Sequence, residues 1–186
     1  MSSETLSKLS TYDDYRNLPD DSNQYQILGG ELHMTPAPSP YHQEISLNIA
    51  SILRNYALQH KMGKVLCAPV DVILSMTDVV QPDIVFVAGE RLNIITEKNI
   101  VEAPDLIVEI LSEHTESIDR NKKKKLYERF GVREYWLVDP ANRQIDQFVL
   151  QERAFALKSS AGTDQTLSSA ILDGCTIPVD DIFPSK

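Results

Sequence analysis

Residues 104–111 read PDLIVEIL and residues 82–87 read PDIVFV, two apolar runs that each open on Pro-Asp, with a single acid, Glu109, inside the longer one. Apolar runs of this length, bounded by chain breakers, read as strands buried on both faces. Side chains alternate along a strand, so Ile107, Glu109 and Leu111 share one face while Val108 and Ile110 share the other. An ionised carboxylate in such company costs roughly several kcal/mol unless something compensates it. Three compensations are open: a basic side chain, a hydrogen-bonding network, or a divalent cation shared with a second acid.

Asp83 stands at the mouth of the neighbouring apolar run and is the natural second acid. Two converging carboxylates suit Mg²⁺ or Mn²⁺, hard cations that prefer oxygen ligands and keep several waters. The plainer alternative makes Asp83 a strand cap and gives Glu109 an arginine partner. The segment after Glu109 turns helical from about residue 115 to 130, with Ile118, Leu126 and Phe130 forming an apolar stripe and Gly131 ending it. Asp119, Lys123 and Tyr127 recur at four-residue spacing beside that stripe, on one face. Of the run Lys122, Lys123, Lys124 and Lys125, it is Lys123 that can point at the sheet while its neighbours stay in water. Its alternative role is an ion pair with Asp119, and Tyr127 could be ordinary packing with a wet hydroxyl.

Around this centre the chain reads as alternating elements. Residues 25–34 (YQILGGELHM) form a hairpin about Gly29 and Gly30, and the Pro-rich stretch 35–40 is a loop delivering the chain to a helix. Tyr41, Ile45, Ile49, Ile52, Leu53 and Tyr56 recur at three and four residues, an amphipathic helix of roughly five turns. His42 falls within its inward stripe, as a structural or supporting group. Residues 64–74 are extended, with Pro69 marking a bulge or an edge. Residues 135–138 (YWLV) form a strand whose Tyr135 and Trp136 belong to the core, residues 145–150 and 154–157 suggest a further hairpin, and 171–183 reads as mostly irregular. His33, His60 and His114 show no partner spacing. An α/β fold follows, a mixed central sheet flanked by helices with an N-terminal hairpin.

The bulk numbers agree with one domain. The chain has 186 residues, 42% of them hydrophobic, and neither an internal repeat nor a composition shift. No apolar run is long enough for a bilayer and the first residues lack the apolar segment of a secretion signal, so a cytoplasmic protein with no membrane partner is expected. Cys67 and Cys175 are the two cysteines, too few and too separate for a disulfide framework or a cysteine metal site. The formal net charge of -9 argues against generic, charge-driven binding of polyanions. The clearest concentration of positive charge is the lysine run with Arg120 and Arg129 around it, most of which reads as a solvated helix face.

The segments GGELHMTPAPSPYHQE (29–44), QPDIVFV (81–87), APDLIVEILS (103–112), DRNKKKKLYERFGVREYWLVDP (119–140) and DIF (181–183) together resemble the Uma-type putative restriction endonuclease family of the PD-(D/E)XK superfamily, over about residues 25–183. The resemblance implies a restriction-endonuclease-like fold and a Mg²⁺-dependent endonuclease acting on DNA, commonly as a homodimer. It makes Asp83 and Glu109 the metal ligands and Lys123 the catalytic lysine. The superfamily's usual lysine position, two residues after the acid, is Leu111 here, and Lys123 on the helix occupies the matching place. Glu31 corresponds to the acid of the family's Gly-Glu strand, which could extend the metal site or be a surface acid. The acidic balance and the displaced lysine leave a second class open, a catalytically silent fold member acting as a binding or scaffold module. A small metal-binding protein ranks last, since no His or Cys cluster is present.

Overall fold

The structure, a computed structural model, describes residues 11–18, 24–113 and 115–184; His114 lies outside them. A short helix α1 (Tyr12–Tyr15), capped by Thr11, precedes a hairpin of β1 (Gln24–Leu28) and β2 (Glu31–Thr35). Gly29 and Gly30 make its turn with φ of 60° and 77°, a left-handed backbone that glycine adopts without a Cβ clash. The loop after β2 ends at Ser39, whose Oγ accepts the His42 N–H at 3.2 Å, and Pro40 opens the 20-residue helix α2 (Pro40–Gln59). There follow β3 (Gly63–Cys67), the pair β4 (Val72–Ser75) and β5 (Asp78–Val80), β6 (Ile84–Ala88), a short β7 (Ile100–Val101) and β8 (Leu106–Ile110). A π-helical turn, Ile118–Lys123, runs into α3 (Lys124–Phe130), closed by Gly131 at φ 80°. The chain returns through β9 (Glu134–Asp139), the hairpin β10 (Gln144–Gln151) and β11 (Ala154–Ala161), and the small pair β12 (Thr166–Ser168) and β13 (Thr176–Pro178).

The strands form a six-stranded sheet in the order β11-β10-β9-β8-β6-β3 and a five-stranded sheet in the order β2-β1-β5-β4-β7. In the larger sheet β8 and β9 run parallel and the other pairs antiparallel, so it is mixed. Its central strands are apolar on both sides because both sides are covered. On one face Ile45, Ile49 and Leu53 of α2 meet Phe86, Val108 and Trp136, and Ile177, Ile182 and Phe183 of the C-terminal segment complete the layer. On the other face Val85, Ile107 and Tyr135 meet Val72 and Val80 of the smaller sheet together with Leu126 and Tyr127. Alternation along β8 therefore feeds two separate cores, and Glu109 belongs to the second face.

Three local expectations change. Residues 64–74 do not form one extended element: the chain breaks at 68–71 around Pro69, and β3 and β4 join different sheets. The segment expected as a regular helix is interrupted by the wider π turn at Ile118–Lys123 before α3. The C-terminal stretch, read as mostly irregular, carries β13 and a short 3₁₀ turn, Val179–Asp181. Its Ile177, Val179, Ile182 and Phe183 are buried, so tertiary packing orders a stretch that has little periodicity of its own.

Candidate functional site

Strand pairing brings the two Pro-Asp runs together. β6 and β8 are antiparallel, with Ile84 opposite Val108 and Val85 opposite Ile107, so Asp83, one residue before β6, stands beside the end of β8 that carries Glu109. Both acids line one cleft of about 710 Å³, and Lys123, Asp119, His42 and Gln81 line it too.

Glu109 reaches this cleft from within the core. Its Oε1 accepts the Tyr127 hydroxyl at 2.6 Å and the Lys123 ammonium at 3.0 Å. The Glu109 and Lys123 side chains are each 4% exposed. The other Glu109 oxygen, Oε2, has no protein donor among the described residues. Burial, above all, raises the pKa of Glu109 to about 8, helped by the charges of Asp119 and Asp83 and opposed by Lys123 and the Tyr127 hydrogen bond. Burial works against the charge of Lys123 too, but the Glu109 and Asp119 carboxylates outweigh it and raise its pKa, so the ammonium keeps its proton. Lys123 Nζ also stands 3.0 Å from Asp119 Oδ1. That contact is one of charge and not an aligned hydrogen bond, for Oδ1 is buried without a hydrogen-bond donor. The ion pair expected with Asp119 is present, and Lys123 also points at the sheet, where it pairs with Glu109.

Asp83 is held by a different set of groups. Its Oδ2 accepts the Ile110 N–H at 2.7 Å, and His42 Nε2 lies 3.4 Å from the same oxygen and 3.1 Å from the Ile110 carbonyl. With its proton on Nε2, His42 donates to that carbonyl and faces Asp83, which accounts for the inward direction of the first helix's histidine. Burial disfavours charge on His42, yet the bond toward Asp83 prevails and its pKa is raised. His42 Nδ1 is buried without a partner. Asp83 Oδ1 has no protein donor among the described residues and is left to the cleft.

Glu31 is not brought to this place. It stands at the turn end of β2, where its side chain is 59% exposed and Oε2 takes Lys122 Nζ at 3.1 Å and His33 Nε2 at 3.8 Å. Hairpin register explains the separation, since Gln24, Gln26 and Thr35 at the other end of the same ribbon line the cleft. Tyr135 and Trp136 are fully buried core residues.

Among the described residues, no three His, Cys, Asp or Glu side chains are grouped as a ready metal cage. The donor set nevertheless suits a hard divalent cation that retains water: two carboxylates on adjacent strands, each with an oxygen unclaimed by the protein. Asp119 is the site residue that the sequence underrated, because four-residue spacing reads as an exposed helical pair while tertiary packing buries it. Acids also dominate the rim, where Glu113, Glu116 and Asp139 line the cleft and Arg120 binds Glu116 at 2.8 Å and Asp139 at 3.0 Å.

No helix among the described residues is long and apolar enough to cross a membrane. None of the curated proteins matches the chain. Among solved structures, the crystal structure of a putative nuclease belonging to DUF820 from Anabaena variabilis superposes with a TM-score of 0.75 at 18% identity, over 93% of this chain and 97% of that one. Identity that low speaks for the fold, the restriction-endonuclease-like α/β architecture. The model of the Uma2 family, described as a putative restriction endonuclease, matches residues 12–180. With nine-tenths of the chain inside that match, this protein belongs to the Uma2 family.

Proposed function

We propose that the protein is a divalent-metal-dependent endonuclease that hydrolyses DNA phosphodiester bonds. The observation that carries the proposal is the convergence in one cleft of Asp83, Glu109 and Lys123, with an unclaimed oxygen on each acid. Asp83 and Glu109 would hold Mg²⁺ or Mn²⁺. Such an ion, when bound, polarises the phosphoryl group and lowers the pKa of an attacking water. Lys123, which stays protonated, acts as a fixed positive charge toward the phosphate oxygens and not as the base. Tyr127 holds Glu109 Oε1, so the rotamer that turns Oε2 toward the cleft is fixed before substrate arrives. The Ile110 amide and His42 do the same for Asp83. Attack of water on phosphorus then breaks one P–O bond and leaves a phosphate and a hydroxyl end. Cutting both strands of a duplex is simplest with two such sites, which favours a homodimer, and the absence of an apolar secretion segment in the first residues favours the cytoplasm.

A specific observation supports a second proposal, a silent member of the fold that binds a partner. The cleft rim carries Glu113, Glu116 and Asp139 around one buried lysine, with Arg120 paired to the last two acids, and a polyanion meets net repulsion there unless cations intervene. Nicking of supercoiled plasmid, with Mg²⁺ or Mn²⁺ titrated by calorimetry, separates the two. Asp83→Ala is expected to lose both metal uptake and cleavage, and Lys123→Ala to keep uptake and lose cleavage. Cleavage surviving both substitutions overturns the assignment, and DNA binding without cleavage under any metal favours the silent module.

A further inference from the structure

A lysine that serves as fixed charge must stay in place while its neighbours change charge. Lys123 has two carboxylates at 3.0 Å, but they face different tasks. Glu109 also takes the Tyr127 hydroxyl and presents its other oxygen to the cleft, so a metal ion would draw on its charge. Asp119 is buried with an Oδ1 that receives no hydrogen bond, and its one ion pair among the described residues is with Lys123. Its backbone is fixed as well: the Asp119 N–H donates to the Thr115 carbonyl at 2.9 Å, and its own carbonyl accepts the Tyr135 hydroxyl at 3.2 Å. Both Asp119 and Lys123 belong to the π-helical turn, whose extra residue per turn re-aims side chains, and such turns gather at functional sites.

We propose that Asp119 is a positioning residue, a second anchor that keeps the Lys123 ammonium at the cleft when Glu109 is engaged elsewhere. The proposal rests on the cleft being a phosphodiester-cleaving site, but its structural half can be tested without turnover. A salt bridge to one strand acid alone leaves a four-carbon side chain free to follow that acid's charge. Held on two sides, one of them outside the pair of proposed metal ligands, the ammonium has one place to be. Asp119 touches neither the reacting atoms nor the ion in this scheme and acts through Lys123.

The test uses the full chain and its Asp119→Asn, Asp119→Ala and Asp119→Glu variants, each checked for folding by circular dichroism and thermal melting. Acylation by an amine-reactive reagent, read peptide by peptide in a mass spectrometer, reports how well each lysine is held, with and without Mn²⁺. In the parent, Lys122 and Lys125 should react while Lys123 is protected. Folded Asp119→Asn should show Lys123 labelled at least about tenfold faster, because breaking one side of a buried ion pair frees its partner. Added Mn²⁺ should widen that difference, and Asp119→Glu should restore part of the protection. Mn²⁺ affinity should stay within about threefold of the parent, as the variant keeps both proposed ligands. Where the parent cleaves plasmid, kcat should fall by about a hundredfold with KM little changed, the scale of a displaced catalytic group. Lys123 equally protected in folded Asp119→Asn, or Mn²⁺ affinity lost as fully as in Asp83→Ala, overturns the proposal. A parent that never cleaves, with labelling as expected, would remove the enzymatic proposal and leave Asp119 as the anchor of Lys123.

Discussion

Two buried glutamates sit on neighbouring strands of the same sheet and face opposite ways. Glu134 of β9 projects into the layer of α2 and the C-terminal segment, where Trp136 Nε1 and Gln147 Nε2 donate to Oε1. Its Oε2 accepts Ser169 Oγ at 2.8 Å and the N–H groups of Ala170 and Ile171 at 2.9 Å each. All its partners are neutral donors, both oxygens are satisfied, and the group clasps the chain at 169–171 to the sheet. Glu109 of β8 has two donors on one oxygen, one of them charged, and the other oxygen turned to a cleft. Burial alone therefore does not mark a functional acid. The role proposed for Glu109 rests instead on incomplete satisfaction beside an opening, an oxygen for which the protein supplies no donor.

The largest expected effect separates the two by activity. Glu109→Gln should lower plasmid cleavage by about a thousandfold or more, since the neutral amide cannot serve as an anionic ligand and leaves the charge of Lys123 less balanced. Glu134→Gln should leave kcat of the folded fraction near the parent's. Equal losses in both variants would erase the distinction between the two acids.

Stability should divide them the other way. Glu134→Ala strands several buried donors at once and should cost roughly 3 kcal/mol or more in urea unfolding, whereas Glu109→Gln at neutral pH should stay within about 1 kcal/mol of the parent. A large loss for Glu109→Gln would instead make Glu109 a structural ion-pair partner.

The raised pKa of Glu109 adds a pH signature. A metal ion must displace the proton held on an acid of pKa about 8, so Mn²⁺ affinity should climb by up to tenfold per pH unit below that value and level off above it. Calorimetry in buffers of different ionisation heat should show the released proton. Without metal the linkage runs to stability: between the ordinary value of 4.5 and about 8, the folded chain holds a proton that the unfolded chain has lost. Stability contributed by Glu109 thus falls as pH rises through that window, and Glu109→Gln should remove that part of the slope. The smallest effect belongs to Tyr127→Phe, which deletes the 2.6 Å hydrogen bond to Glu109. It should cost about 1 kcal/mol and push the Glu109 pKa higher, visible as weaker Mn²⁺ uptake at neutral pH.

How much of this was open to a reader of the residues differs from one acid to the next. Glu109 stood out because an acid amid Leu, Ile and Val violates the local pattern, and Asp83 because it repeats the Pro-Asp opening. Glu134 has no comparable mark in the run REYWLV, since its Oε2 donors lie 35 to 37 residues further along the chain. Asp119 was visible only as a helical neighbour of Lys123, because spacing along one segment carries no information about burial. Glu31 carried a family position but occupies the exposed end of its ribbon, a difference that hairpin register decides.

Local chemistry written in the chain determined the central strands, the long helix, the glycine turn and the mixed α/β class, because alternation and periodicity act within a few residues. Only the tertiary structure decided that the strands divide between two sheets, that Asp83 and Glu109 line one cleft, and that Lys123 stands between two acids. Those facts depend on register and on which faces are covered, and both are set by contacts between segments far apart in sequence.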